Sequence, residues 1–137
     1  MPHQAYHVTA CTEARRPIFR DFACARLLVA EMRRLHEEEV LGSLAWVIMP
    51  DHLHWLFQLY EGETLSSIVK RVKARSSLAI GRHIESGGPI WQRGFHDHAI
   101  RRDEDMLVVA RYIVANPLRA GLVKHLGDYP LWDAIWL

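Results

Sequence analysis

Two histidines flank a single leucine at His52-Leu53-His54. On a β-strand, residues two apart point to the same side and lie about 6.5–7 Å apart along the chain. Two imidazoles so placed can converge on one ion, with metal–nitrogen bonds of about 2.0–2.1 Å for zinc. The spacing alone carries little weight. Chance predicts roughly 0.6 such pairs in a chain this rich in histidine, and His96-Asp97-His98 is a second one. Two surface or internally satisfied histidines would look the same. The neighbours strengthen the first pair, because Leu53, Trp55 and Phe57 alternate with it. They bury the opposite face and make the strand rigid enough to hold a metal site.

Tyr112 and Asn116 lie four residues apart. On a helix they share a face. A tyrosine oxygen can attack phosphorus, but a free phenol ionises only near pH ~10, so such a nucleophile needs an ion or a cation nearby. The amide oxygen of Asn116 is a hard donor suited to Mg²⁺ or Mn²⁺. The ordinary alternatives are a packing tyrosine and an asparagine that ends a helix before proline. Lys70, Arg71, Lys73 and Arg75 form a basic cluster. It reads either as a solvated helix face or as a phosphate-binding one. Tyr6, Trp91 and Phe95 could stack on unpaired bases, although core packing is the better default for each.

The elements that must position these residues follow from the pattern. Ala5 to Cys11 reads as a strand, closed by Arg15-Arg16-Pro17. Asp21 to about Val40 reads as a helix, with Ala25, Leu28, Met32 and Leu35 on one face and Gly42 soon after its end. Leu44–Met49 and His52–Tyr60 read as an antiparallel pair joined at Pro50-Asp51. Gly62 breaks the second strand. A second helix starts at Thr64 or Ser66. It buries Leu65, Ile68, Val69, Val72, Ser76 and Ala79 and leaves its basic residues open. The stretch from Gly81 to Pro89 reads as loose, and Trp91 to Arg101 holds a short strand. Asp103 is expected to cap a third helix, with Glu104 and Asp105 in its first turn, running to about Asn116 and stopped by Pro117. Leu107, Ala110 and Val114 would face inward. The tail from Leu118 reads as irregular, with Trp132 and Trp136 folded back. Strand, helix, strand, strand, helix, strand, helix describes an α+β, ferredoxin-like antiparallel sheet with helices packed on it.

Composition sets the outer limits. A chain of 137 residues, half of them apolar, is expected to form a single domain over residues 1–137. No apolar run reaches the roughly 20 residues that cross a bilayer. Met1-Pro2-His3-Gln4 does not open a secretory leader, so the expected location is cytoplasmic. Cys11 and Cys24 form no motif and are expected to be reduced and partly buried. The net charge is only +1. Nucleic acid is therefore announced by the distribution of basic residues rather than by the total.

Taken together, the blocks resemble a known family. Trp46-Val47-Ile48-Met49-Pro50-Asp51-His52-Leu53-His54-Trp55-Leu56 resembles the HUH segment of REP-associated tyrosine transposases, single-tyrosine enzymes in which two histidines flank a bulky apolar residue. Trp91-Gln92-Arg93-Gly94-Phe95-His96-Asp97-His98-Ala99-Ile100-Arg101 is similar to the family's next block. The stretch from Ala110 through Tyr112, Asn116, Pro117 and Arg119 to Val123 is similar to its tyrosine block. Tyr6-His7-Val8-Thr9 and Arg16-Pro17-Ile18-Phe19 match its opening.

The resemblance implies a metal-dependent single-stranded-DNA endonuclease and strand transferase that forms a 5′-phosphotyrosine. Tyr112 would be the nucleophile and His52, His54 and Asn116 the ligands of Mg²⁺ or Mn²⁺. The partner would be single-stranded DNA near a palindromic hairpin, and the assembly a monomer in preference to a homodimer. Insertion-sequence relatives commonly carry glutamine where this chain has Asn116. Arg93, Arg101 and Arg102 join the basic helix as candidate backbone-phosphate contacts, and His98 is a candidate DNA contact for which a structural role is the preferred reading. Two other readings fit the residues: a catalytically silent DNA- or RNA-binding module of the same fold, and a hydrolase whose histidine pair activates water.

Overall fold

The computed structural model describes residues 4–85 and 88–135. Strand β1, Ala5–Cys11, leads through two short 3₁₀ turns to helix α1, Phe22–Glu37. Asp21 caps α1, its carboxylate accepting from the amide of Ala23 at 2.9 Å. The chain then turns through Glu39, which adopts a positive φ of 60°. Strand β2 follows at once, Leu41–Met49. Gly42 therefore lies inside a strand and does not follow a helix end. A Cβ there would come within 2.7 Å of the Tyr60 hydroxyl, so the missing side chain makes room for that ring.

Strand β3, His52–Leu59, returns antiparallel to β2 through the Pro50-Asp51 turn. Helix α2 spans Leu65–Ile84, and Thr64 caps it by accepting from the amide of Ser67. It is longer than expected and takes in Gly81. Its buried face is Ile68, Val69, Val72, Ser76 and Ile80, so Ile80 stands where Ala79 was expected. Strand β4 is His96–Ile100, and helix α3 is Asp103–Val114. Arg102, not Asp103, holds the N-cap position of α3, and no side chain caps that end.

Pro117 does not end α3. The helix stops at Val114, and Asn116–Arg119 forms one further turn, α4, in which Pro117 is buried. The tail is more ordered than its sequence suggests. Leu126–Asp128 is a 3₁₀ turn, and Trp132–Ala134 forms strand β5 at the edge of β2. Trp132 is half-buried there; Trp136 lies outside the described residues.

The sheet order is β4-β1-β3-β2-β5, antiparallel throughout. The first four strands carry the ferredoxin-like arrangement that the element order implied. Period-two alternation gives the sheet two unlike faces. Val8, Ala10, Ile48, Leu53, Trp55 and Phe57 pack with α1 and α2 in the main core. Ala5, Val47, Met49, Leu56 and Ile100 pack with Ala110, Ile113 and Val114 of α3 on the other face. Each fully buried Leu, Ile or Phe contributes about 1.5–3 kcal/mol, so both layers stabilise the sheet. Among the described residues, no helix is long and apolar enough to cross a membrane.

Candidate active site

His52 and His54 sit on β3 on the same side as Leu56, the side covered by α3. Their rings meet edge to face with centroids 4.9 Å apart. Nδ1 of His52 lies 2.7 Å from Oδ1 of Asp51. Nδ1 of His54 lies 2.9 Å from Nε2 of His7 and 3.1 Å from the Thr9 hydroxyl. Each ring is thus held through Nδ1, which leaves Nε2 as its donor toward an ion. Such outer partners set the tautomer and orientation of metal-binding histidines.

The supports come from far along the chain. β1 pairs with β3 so that Thr9 lies opposite His54. β4 pairs with β1 so that His98 lies opposite His7. A row of imidazoles therefore crosses three strands. Asp51 is held in turn: its Oδ2 lies 3.0 Å from Nε of Arg15. Ala14 and Arg15 both adopt φ of 54°, a conformation L residues rarely enter. Such strain persists only where the surroundings hold it in place. Here Thr12 is fully buried, and its hydroxyl donates to the Arg16 carbonyl at 2.7 Å with the Asp51 carbonyl 3.1 Å away.

The electrostatics suit ligation. Burial, then the nearby His52, His7 and Arg119, lower the His54 pKa to about 3. This ring is a neutral donor at any physiological pH. Burial, then His98, also lowers His7. Burial alone would raise the Asp51 carboxyl, but hydrogen bonds from His52 and Arg15 hold it below its ordinary value.

Tyr112 lies on α3 and is 54% exposed, with its neighbour Ile113 fully buried. The phenol is therefore clear of the core. The Arg119 guanidinium carbon stands 3.8 Å from the centroid of the Tyr112 ring. Arg119 is also close enough to His54 to oppose its protonation. Asn116, half-buried, begins α4, between Tyr112 and Arg119 in the sequence. Two imidazole nitrogens on one strand face can serve a divalent ion with further positions open to oxygen ligands.

The candidate DNA contacts divide between the faces. His98, Arg101 and Arg102 are exposed beside α3, on the histidine side. Arg102 also pairs with Glu104 at 3.7 Å. Lys70, Arg71, Lys73 and Arg75 lie on α2, across the sheet. Arg71 pairs with Glu63, and Arg75 with Glu38 at 3.4 Å. Lys73 donates to the carbonyls of Gln92, at 2.9 Å, and Gly94. Lys70 and Arg93 are exposed. Trp91 is buried and donates to the Ser76 hydroxyl at 3.0 Å, while Tyr6 and Phe95 pack against the main core.

Four residues with no role assigned from sequence support the site: His7, Thr9, Asp51 and Arg119. His7 and Thr9 share a strand face by alternation, and Tyr112, Asn116 and Arg119 follow the i, i+4, i+7 helical stripe. Those were the available signals. A different group of ligand-type side chains, Asp21, Cys24 and His83, lies across the sheet where α1 begins and α2 ends. Cys11 is half-buried and Cys24 buried, and both are free thiols.

The family described as "Transposase IS200 like" matches residues 1–116. A REP-associated tyrosine transposase of Escherichia coli K12 is 37% identical over 87 residues, which are 63% of this chain and 50% of that protein. The chain spans about half the length of the curated relatives it matches. A solved structure of a REP-associated tyrosine transposase bound to a REP hairpin superposes with a TM-score of 0.81 at 27% identity. The match covers 96% of this chain and 77% of that one.

Proposed function

The chain belongs to the family of IS200-like transposases, and from that premise we propose that it nicks and rejoins single-stranded DNA. Tyr112 is the nucleophile, and His52, His54 and Asn116 hold a Mg²⁺ or Mn²⁺ ion. The observation that supports this best is the position of Arg119, stacked on Tyr112 and within electrostatic reach of His54. One side chain meets both only if the tyrosine helix and the histidine pair share one side of the sheet. Both belong to the same chain, which favours a site complete in a monomer.

The chemistry follows from the groups. The Tyr112 oxygen bonds to phosphorus as the bond from phosphorus to the 3′ oxygen breaks. The phenol gives up its proton and the departing 3′ oxygen takes one up, so no water is consumed. A 5′-phosphotyrosine keeps the phosphodiester energy, and a 3′-hydroxyl can reverse the step and join strands. When bound, a divalent ion draws charge from the nonbridging oxygens of the scissile phosphate. His7, Thr9 and Asp51 keep the two ligand rings oriented throughout. The hairpin in the similar solved structure suggests the substrate, a single strand flanking a palindromic hairpin. The place of action is the cytoplasm, where chromosomal DNA lies.

The test is covalent capture. Labelled hairpin-flanked single strands incubated with Mn²⁺ or Mg²⁺ should become attached to the protein. Tyr112→Phe should abolish attachment while hairpin binding persists. A free 5′-phosphate released equally by Tyr112→Phe would identify a water-activating hydrolase instead. Tight binding without cleavage or attachment would identify a binding module.

A further inference from the structure

We propose that Arg119 is a catalytic residue, the guanidinium that grips the scissile phosphate between Tyr112 and the histidine pair. This presupposes that Tyr112 is the nucleophile. Three observations lead to it. Arg119 stacks with its guanidinium carbon 3.8 Å from the Tyr112 ring centre. Stacking occupies the flat face of a guanidinium and leaves its N–H edge free, and that edge matches two phosphate oxygens. The residue is therefore held in place and still able to bind.

Secondly, among the described residues no carboxylate pairs with Arg119, a state it shares with Arg93, Arg101 and Arg111. Its charge is directed instead at an aromatic ring and at His54. Thirdly, its backbone is anchored. The Arg119 amide donates to the Ala115 carbonyl at 3.1 Å, the Ala120 amide donates to the Asn116 carbonyl at 2.9 Å, and Pro117 is buried. A cation delivered by a rigid turn loses little freedom when it binds.

The phosphate in this reaction gains charge on its nonbridging oxygens as Tyr112 attacks. A fixed donor aimed at developing charge strengthens in the transition state, and loss of one such donor costs about 10²–10³ in rate. The arrangement assigns Arg119 that part.

The experiment compares wild type, Arg119→Lys and Arg119→Ala by rate of covalent attachment and by affinity for the hairpin strand. Two substrates are used, an ordinary scissile phosphodiester and a methylphosphonate in which a neutral methyl replaces one nonbridging oxygen, both diastereomers separately. On the phosphodiester, Arg119→Ala should slow attachment about 10²–10³-fold and leave hairpin affinity nearly unchanged. Arg119→Lys, which keeps the charge and loses the fork, should fall between. On one methylphosphonate diastereomer the difference between wild type and Arg119→Ala should vanish. Attachment by both variants at the wild-type rate would overturn the proposal and leave the nuclease reading intact. An equal loss on every substrate would overturn it too, since a merely structural residue behaves that way. A wild-type protein that binds the strand and never becomes attached would sink both.

Discussion

Nδ1 of His52 lies 2.7 Å from Oδ1 of Asp51, and the other oxygen of that carboxylate lies 3.0 Å from Nε of Arg15. The carboxylate thus orients a candidate ligand while being oriented itself. Loss of such an outer partner typically costs 10–100-fold in metal affinity. Asp51→Ala is expected to weaken Mn²⁺ binding by about that factor, read by calorimetry. Removing Arg15 should cost less, since its side chain is half-exposed and acts one bond further out. An Asp51→Ala protein with wild-type Mn²⁺ affinity would show that His52 needs no such partner.

His54 gives the protein a pH dependence of definite sign. The unfolded imidazole takes up a proton near its ordinary value of 6.5, whereas burial and then His52, His7 and Arg119 hold the folded one to about 3. Between those values the unfolded state binds more protons, so stability falls as pH drops through this window and is complete above it. His7, lowered by burial and by His98, acts in the same direction. In chelator, with no ion bound, the effect should be on the order of 2–4 kcal/mol between pH 7 and 3. Urea midpoints would measure it, and His54→Asn should flatten the slope. A stability that is level from pH 7 to 4 would refute it.

Packing of the tyrosine helix can be separated from its chemistry. Ile113 is fully buried and Val108 is 63% exposed on the same helix. Ile113→Ala is expected to cost about 2–5 kcal/mol of stability, and Val108→Ala less than about 0.5 kcal/mol. Chemical denaturation would check both values.

The tail is pinned by a hydrogen bond of 2.6 Å from the Tyr129 hydroxyl to the Ile48 carbonyl. Tyr129→Phe should destabilise the fold by about 1–2 kcal/mol, because it strands a carbonyl between β2 and the tail. Thermal unfolding should show a lower midpoint. An unchanged midpoint would mean that water replaces the phenol.

Arg101 and Arg102 flank the histidine side of the sheet, while Lys70 lies on the helix layer behind it. Each phosphate contact contributes close to one unit to the salt dependence of binding. Reversing Arg101 and Arg102 to Glu is expected to lower the slope of log affinity against log salt by about 1–2. Lys70→Glu should change it less. The opposite order, measured by titration at several salt concentrations, would place the DNA across α2.

Much of this was legible because it is local. Alternation put His52 and His54 on one strand face, whereas the helical spacing of Tyr112 and Asn116 spans the junction of α3 and α4 rather than one helix. Thr64 and Asp21 cap helices as short-range rules predict. What could not be read depends on pairing across distance. Nothing local says that His7 and Thr9 will face His54, since the order β4-β1-β3 decides it. Strand β5 is three residues long and owes its form to the edge of β2, so its sequence alone reads as coil. Gly42 has the look of a helix terminator, and only the position of Tyr60 explains it. Pro117 similarly hides a turn that continues helically with the proline near its start, where proline is tolerated.

Strand β3 also works as a partition. Its odd-numbered side chains, Leu53, Trp55 and Phe57, go to one layer, and its even-numbered ones, His52 and His54, go to the other. A residue beneath α1 or α2 can therefore be exchanged for one of similar bulk without touching the histidine pair. Robustness to heat and the geometry of the histidine side are then separately adjustable, and the two properties can drift apart among descendants of the same scaffold.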